Sequence, residues 1–205
     1  MYAELLIAAS LAAAAYQDAK DRAVSDLVWI PAGAAVALTF YSFYAEGGAG
    51  LEFYLMKLAL IGGMALVFTV LGSIGQADGI AIAVVAADPY ALSPLAPLLG
   101  AAAVAAAHIA YEVSRGNARG KKVIPMEQFL REQRWIPKAI LSGDSRTEVS
   151  RDVNVARDQV EASGGADALV EVSYGVPTVA YIGVGFVAYV VYMLLFSYSA
   201  LAALP

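Results

Sequence analysis

The stretch LALIGGMALVFTVLGSIGQAD, residues 58–78, decides the fold class of this chain. No charged residue occurs from Leu58 to Ala77, and the aspartate Asp78 then closes the stretch. A helix needs about 20 apolar residues to cross the hydrocarbon core of a bilayer. Residues 54–74 therefore predict a membrane-spanning helix that is followed almost at once by an acidic residue.

The composition of the whole chain predicts the same class. Of the 205 residues, 60% are hydrophobic and 15% are charged, whereas about a quarter of a typical soluble domain is charged. The segment from Arg115 to Glu171 holds ten of the 13 basic residues and nine of the 18 acidic ones. We therefore expect an integral membrane protein in which most of the charge is confined to one loop.

Six apolar segments are candidates for membrane-spanning helices: 2–18, 27–45, 54–74, 78–93, 95–113 and 177–204. Prolines separate the fourth from the fifth, because proline disfavours helix in the residue before it. The predicted fold is an α-helical polytopic membrane protein of about six transmembrane helices, with a small cytoplasmic α+β subdomain between helices five and six. The boundaries are 1–113 for the first five helices, 114–176 for the subdomain and 177–205 for the sixth helix.

Basic residues predict the orientation, since Lys and Arg flanking membrane spans concentrate on the cytoplasmic side. With an external N-terminus, twelve of the 13 basic residues fall on that side and only Lys57 does not. This predicts a multi-pass protein of the cell (cytoplasmic) membrane. The end of span one and the start of span four then lie at the same depth.

The polar segment and the glycines give further local predictions. In the segment, residues 126–133 and 149–162 predict short helices and 168–172 a strand, and a unit of this size is expected to have little core of its own. The glycines at 62–63, 72, 183 and 185 are interpreted as close packing sites between helices, because small residues let membrane helices approach.

Two aspartates, Asp18 and Asp78, stand where apolar spans should meet water on the same side of the membrane. Two facing carboxyls can share a proton, because repulsion and desolvation raise the pKa of one of them. One then acts as general base for a water while its protonated partner acts as acid. Taken singly, an aspartate at a helix end is more often a cap, and Asp78 could be the N-cap of the fourth helix.

The segment DAKDRAVSD, residues 18–26, resembles the first catalytic segment of type IV prepilin and preflagellin peptidases, in which a basic pair and a polar turn follow an aspartate. The segment GQAD, residues 75–78, resembles the Gly-x-Gly-Asp motif of these intramembrane aspartyl proteases. The resemblance implies an endopeptidase that removes the leader peptide from prepilin-like or archaellin precursors at the cytoplasmic membrane face. It also implies that Asp18 and Asp78 form the catalytic pair.

Other residues of the two segments support or weaken this interpretation. Gly75, Gln76 and Ala77 complete the second motif, but Ala77 stands where the family has glycine. If that position needs a positive φ, alanine would impair activity; if glycine serves only close packing there, a single methyl group is tolerated. Asp21 and Asp26 could attract basic residues that precede a leader cleavage site, or could form a solvated cluster with Lys20.

The chain has no cysteine and a single histidine, which excludes cysteine-ligated and histidine-rich metal sites. We expect no metal and no organic cofactor, and the lack of cysteine resembles the smaller archaeal-type enzymes, which implies cleavage without methylation. The expected partners are membrane lipid and the precursor protein, not nucleic acid; the oligomeric state stays open. The alternatives are a proton- or cation-coupled transporter that uses the same aspartates, and an inactive assembly scaffold suggested by Ala77.

Overall fold

The computed structural model describes residues 2–48, 50–89, 95–118, 120–143, 145–150, 153–163 and 168–202. The chain divides into two compact units. The first comprises Met1–Ala19, Val24–Ala105 and Thr178–Pro205, and the second comprises Lys20–Ala23 and Ala106–Pro177. The domain boundaries expected from the sequence, at 113/114 and 176/177, stay a prediction.

The first unit is helical. A 3-10 turn, Asp26–Trp29, precedes its second helix, and two of its helices, α1 and α5, continue into the second unit. The helices are α1 (Tyr2–Asp21), α2 (Ile30–Ala45), α3 (Leu51–Val70), α4 (Gln76–Ala86), α5 (Leu95–Ser114) and α8 (Thr178–Ala202).

Four helical segments are long and apolar enough to cross a membrane: Asp26–Ala45, Leu51–Val70, Leu95–Ser114 and Thr178–Phe196. The helix α1 is long enough, but Glu4, Gln17 and Asp18 reduce its hydropathy. The helix α4 has 11 residues, which rise only about 16 Å. The helical character is confirmed, and the count of six spans stays a prediction. Residues 90–93 of the fourth predicted span lie outside the described part of the chain.

Glycines on α8 allow two other helices to approach it closely. A Cβ built on Gly183 would lie 2.6 Å from the carbonyl oxygen of Leu11, and one on Gly185 would lie 2.5 Å from that of Pro97. The predicted packing role of these two glycines is confirmed. The predicted packing role is wrong for Gly63, because a Cβ added there would have no atom within 4 Å. It is also wrong for Gly72, whose φ of +70° serves the turn after α3.

The short helix α4 packs against α3 and α8, and side chains of α3 bind the carbonyl groups at its C-terminal end. The Tyr54 hydroxyl donates to the carbonyl of Ala87, 3.2 Å away. The Lys57 ammonium donates to the carbonyl of Asp88. Both carbonyls lie just past the last residue of α4, where the helix offers them no further N–H. Lys57, the one basic residue predicted on the outer side, is buried in the protein.

The second unit is an antiparallel sheet with two short helices, which confirms the predicted α+β character. Its strands are β1 (Lys122–Pro125), β2 (Trp135–Ser142), β3 (Ser145–Glu148) and β4 (Leu169–Tyr174), in the order β1-β4-β2-β3. Its helices are α6 (Met126–Arg131) and α7 (Val153–Ala162). Both predicted helices and the predicted strand are present. The helix α7 begins later than the predicted residue 149, and residues 151–152 lie outside the described part of the chain. The strands β1, β2 and β3 were not predicted.

Apolar side chains from the sheet and both short helices form a core inside the second unit. Phe129, Val160, Val170 and Val172 are fully buried, and Trp135 is 2% exposed. The alternation of β4 places its valines on one face, as a half-buried strand requires. The expectation that this unit has little core of its own is therefore wrong.

A carboxylate of the second unit, Glu132, fixes the start of β2. Its Oε2 accepts from the indole Nε1 of Trp135 at 2.7 Å and from Arg134 at 2.7 Å. Burial disfavours the charged form of Glu132, but hydrogen bonds from Arg134, Trp135 and Gln128 outweigh it. They hold the pKa of Glu132 below its usual value.

Candidate active site

Asp18 lies in the last turn of α1 and is buried, with 8% of its surface exposed. Its Oδ2 accepts the backbone N–H of Ala180 at 3.0 Å. Ala180 belongs to the first turn of α8, where N–H groups lack an intrahelical partner. A carboxyl from one helix therefore caps another helix 162 residues further along the chain, a contact that the sequence did not reveal.

Asp78 lies in the first turn of α4. The N-cap is Gly75, in an extended conformation with φ −67° and ψ 156°, and its N–H donates to Asp78 Oδ2 at 3.2 Å. A carboxyl at the third helical position that binds the N-cap N–H is half of a capping box; glycine has no side chain to form the other half. The interpretation of Asp78 as the N-cap itself is therefore wrong, although its carboxyl does bind at the helix start.

The two carboxyls lie near the starts of two helices that pack together, α4 and α8. Asp78 is half-buried, and the charge of Asp18 acts on it. The first turn of a helix attracts negative groups through its exposed N–H donors and its dipole, which accounts for both positions. Both predicted residues thus bind at the starts of the packed helices α4 and α8, while their catalytic role stays a prediction.

Ala77 causes no backbone strain at the position where the resembled family has glycine. It is the second residue of α4, and Arg22 is the one described residue other than glycine with a positive φ. Gly75 matters for a different reason: a Cβ there would lie 3.1 Å from Asp78 Oδ2. The absence of that atom leaves room for the Asp78 carboxyl, while Gln76, the first residue of α4, is exposed.

Gly79, next to Asp78, sets the distance between α4 and α3 and was missed in the sequence. A Cβ there would overlap the hydroxyl oxygen of Thr69 and lie 3.4 Å from the carbonyl oxygen of Ala65. The Thr69 hydroxyl itself donates to that carbonyl at 2.9 Å. Glycine inside a helix costs about 1 kcal/mol relative to alanine, and at Gly79 the missing side chain permits the close approach of α3.

Asp21 and Asp26, the predicted substrate-binding residues, are both exposed. Asp21 lies in the second unit, where its charge acts on the guanidinium of Arg157. Asp26 is the first residue of the 3-10 turn whose N-cap, Ser25, accepts from the backbone N–H of Leu27 at 3.4 Å. Binding of substrate by either residue stays a prediction.

Within the described residues, no group of three or more His, Asp or Glu side chains is arranged to hold a metal ion. No protein-family model, curated protein or solved structure matches the chain. Function must therefore be argued from the residues and their geometry.

Proposed function

We propose that this chain is a membrane aspartyl endopeptidase that removes the leader peptide from prepilin-like or archaellin precursors at the cytoplasmic face of the cell membrane. One observation supports the proposal above the others. Two carboxyls 60 positions apart in the chain, Asp18 and Asp78, each accept a backbone N–H at the start of one of two helices that pack together, α8 and α4. Proton sharing between two carboxyls is what aspartyl hydrolysis requires.

The reaction needs no group beyond these carboxyls and a water molecule. The ionised carboxyl removes a proton from water as the water oxygen attacks the scissile carbonyl carbon, and the protonated carboxyl donates its proton to the carbonyl oxygen. The tetrahedral intermediate then expels the amine, which takes the proton that the first carboxyl had accepted, while a hydroxyl proton of the intermediate returns to the second carboxyl as the C=O bond re-forms. The hydrogen bonds from Ala180 and Gly75 hold the two carboxyls in fixed orientations during these steps.

The test is cleavage of a pilin-like precursor by the detergent-solubilised full-length chain. Asp18→Asn and Asp78→Asn should each reduce cleavage to background, because an amide cannot take the proton but can still accept the same backbone N–H. Asp158→Asn is the matched control, since its carboxyl is exposed and lies outside both motif segments, and it should retain cleavage within a few fold. Cleavage that survives either change at 18 or 78 contradicts the mechanism, as does loss of wild-type cleavage on metal chelation.

A proton- or cation-coupled transporter is the second candidate, and a different observation favours it. Glu4, Lys57 and Asp88 are ionisable and buried in the first unit, with exposures of 7%, 7% and 0%. Ionisable residues inside membrane segments often belong to ion or proton pathways, and peptide hydrolysis does not use these three. Proton flux into liposomes that requires Asp18 or Asp78, together with an uncleaved precursor, would favour the transporter.

A further inference from the structure

The side chain of Gln17, the residue before Asp18, binds a backbone group beyond the end of its own helix. Its Oε1 accepts the N–H of Ser25 at 2.8 Å, eight residues further along the chain. Gln17 is half-buried, and both residues belong to the first unit. The peptidase mechanism proposed above does not use this contact, which ties the end of α1 to the chain that leads into α2.

The chain reverses its direction between these two residues. Helix α1 ends at Asp21, and Arg22 follows with a φ of +55°, the left-handed conformation in which many helices end. Ser25 then takes an extended conformation, with φ −72° and ψ 140°, as the N-cap of the 3-10 turn. Fully extended, the intervening residues 18–24 would span roughly 25 Å. The hydrogen bond closes them into a loop, and the loop begins with Asp18.

A second hydrogen bond shows that the chain after Ser25 runs back along α1. The hydroxyl oxygen of Ser10, which is 1% exposed, accepts the N–H of Ala32 in the first turn of α2 at 2.9 Å. Ser10 lies seven residues before Gln17, and Ala32 lies seven residues after Ser25. Since the Ser10 bond holds the start of α2, loss of the Gln17 bond should release only the loop next to Asp18.

The last turn of α1 is the part of the helix that most needs such a tie. Helix ends fray, because the last four carbonyl groups have no intrahelical donor. Asp18 lies in this turn, and its Oδ2 can keep the N–H of Ala180 at 3.0 Å only while the turn stays helical. We propose that Gln17 is a positioning residue of the candidate site: its bond to Ser25 keeps the last turn of α1 helical and so holds the Asp18 carboxyl on the start of α8.

The first experiment measures amide hydrogen exchange at Ala180 by NMR in the detergent-solubilised full-length chain. Gln17→Met keeps the length of the side chain but removes the acceptor. It should speed exchange at Ala180 by about two- to tenfold, the range expected for the loss of one hydrogen bond. The matched control is Tyr16→Phe, which changes an exposed ring next to Gln17 and should leave the rate unchanged. An unchanged rate in Gln17→Met, or an equal rise in Tyr16→Phe, would overturn the proposal.

The donor of the same bond gives a second test. Ser25→Pro removes the N–H, and the φ of −72° at this position lies in the range that proline adopts. It should speed exchange at Ala180 as Gln17→Met does, and the double variant should show no further increase, because both changes break one contact. Ser25→Ala keeps the N–H and should exchange like the wild type. Additive effects of Gln17→Met and Ser25→Pro would exclude a shared contact as the cause.

Precursor cleavage separates this inference from the proposed function, on which its consequence for catalysis rests. If the wild type cleaves, Gln17→Met should lower kcat by about two- to tenfold and leave KM unchanged, because a displaced carboxyl weakens the transition state and not substrate binding. An unchanged kcat, or a rise in KM alone, would contradict the positioning role. A wild type that does not cleave refutes the proposed function, and the exchange rates at Ala180 then still decide whether Gln17 holds Asp18. The unfolding temperature of each variant shows whether it is folded.

Discussion

Replacing Gly183 with alanine tests whether the close approach of α1 and α8 holds Asp18 in place. The new Cβ would lie 2.6 Å from the carbonyl oxygen of Leu11 and 2.7 Å from the Cβ of Ala15. Ordinary contacts between such atoms are about 3.5–4.0 Å, so the helices must separate by roughly 1 Å. The Asp18–Ala180 hydrogen bond, now 3.0 Å, would then exceed the limit for a hydrogen bond.

The expected cost has two parts. Overpacking of a well-filled interface costs about 1–3 kcal/mol, and loss of a hydrogen bond to a charged group costs about 1.5–3 kcal/mol. Partial relaxation makes the two overlap, so we expect the free energy of unfolding to fall by at least about 2 kcal/mol. Cleavage should fall at least about tenfold, which corresponds to roughly 1.4 kcal/mol of transition-state stabilisation.

The assay combines denaturant unfolding of the detergent-solubilised chain with precursor cleavage under conditions where each variant is still folded. Gly63→Ala is the matched control, because a Cβ there meets no atom within 4 Å; the protein should be unchanged or more stable by up to about 1 kcal/mol. The reasoning is refuted if Gly183→Ala behaves like Gly63→Ala in both measurements.

Three further changes test other contacts. Gly79→Ala should lower the free energy of unfolding by about 1–3 kcal/mol, and adding Thr69→Ala should restore most of it by removing the overlapping oxygen; additive effects in denaturant unfolding would contradict the overlap. Ala77→Gly should cost up to about 1 kcal/mol and leave cleavage unchanged, because Ala77 is helical; a large gain in cleavage would show that the glycine of the family motif is needed. Folding lowers the pKa of Glu132, so its ionised carboxylate stabilises the folded wild type above the unfolded-state pKa. Glu132→Gln removes this stabilisation, and the wild type itself loses it as the pH falls through the folded-state pKa. The unfolding midpoints of mutant and wild type should therefore differ at neutral pH and converge below roughly pH 4, and a constant difference would exclude the charge as the cause.

The long helices of the first unit could be predicted because an apolar run of about 20 residues matches the length that a helix needs to cross a bilayer. The strands β1 and β3 could not, for a physical reason. The strand β3 has four residues, all of them exposed, and β1 also has four and ends in proline. Neither is long enough to show an alternating pattern, and both depend on pairing with partners far along the chain.

At the candidate site, the sequence predicted the two aspartates and their common depth in the membrane, but not the backbone groups to which each carboxyl binds. Asp18 binds a backbone group of α8, and a backbone N–H carries no signature in the side-chain sequence. The importance of Gly79 was equally hidden, because the atom that a side chain would overlap belongs to α3. Of 18 glycines, the sequence alone does not show which ones meet a neighbour.

The capped ends of α4 have a consequence for hydration. At about 16 Å, this helix is roughly half as long as the hydrocarbon core is thick, so its termini cannot both reach bulk solvent in a bilayer. Tyr54 and Lys57 bind the carbonyls that water would otherwise solvate, and no chain of water molecules is required at that terminus. The C-terminal end of α4 can therefore lie inside the protein, because protein side chains take the place of water on the carbonyls of Ala87 and Asp88.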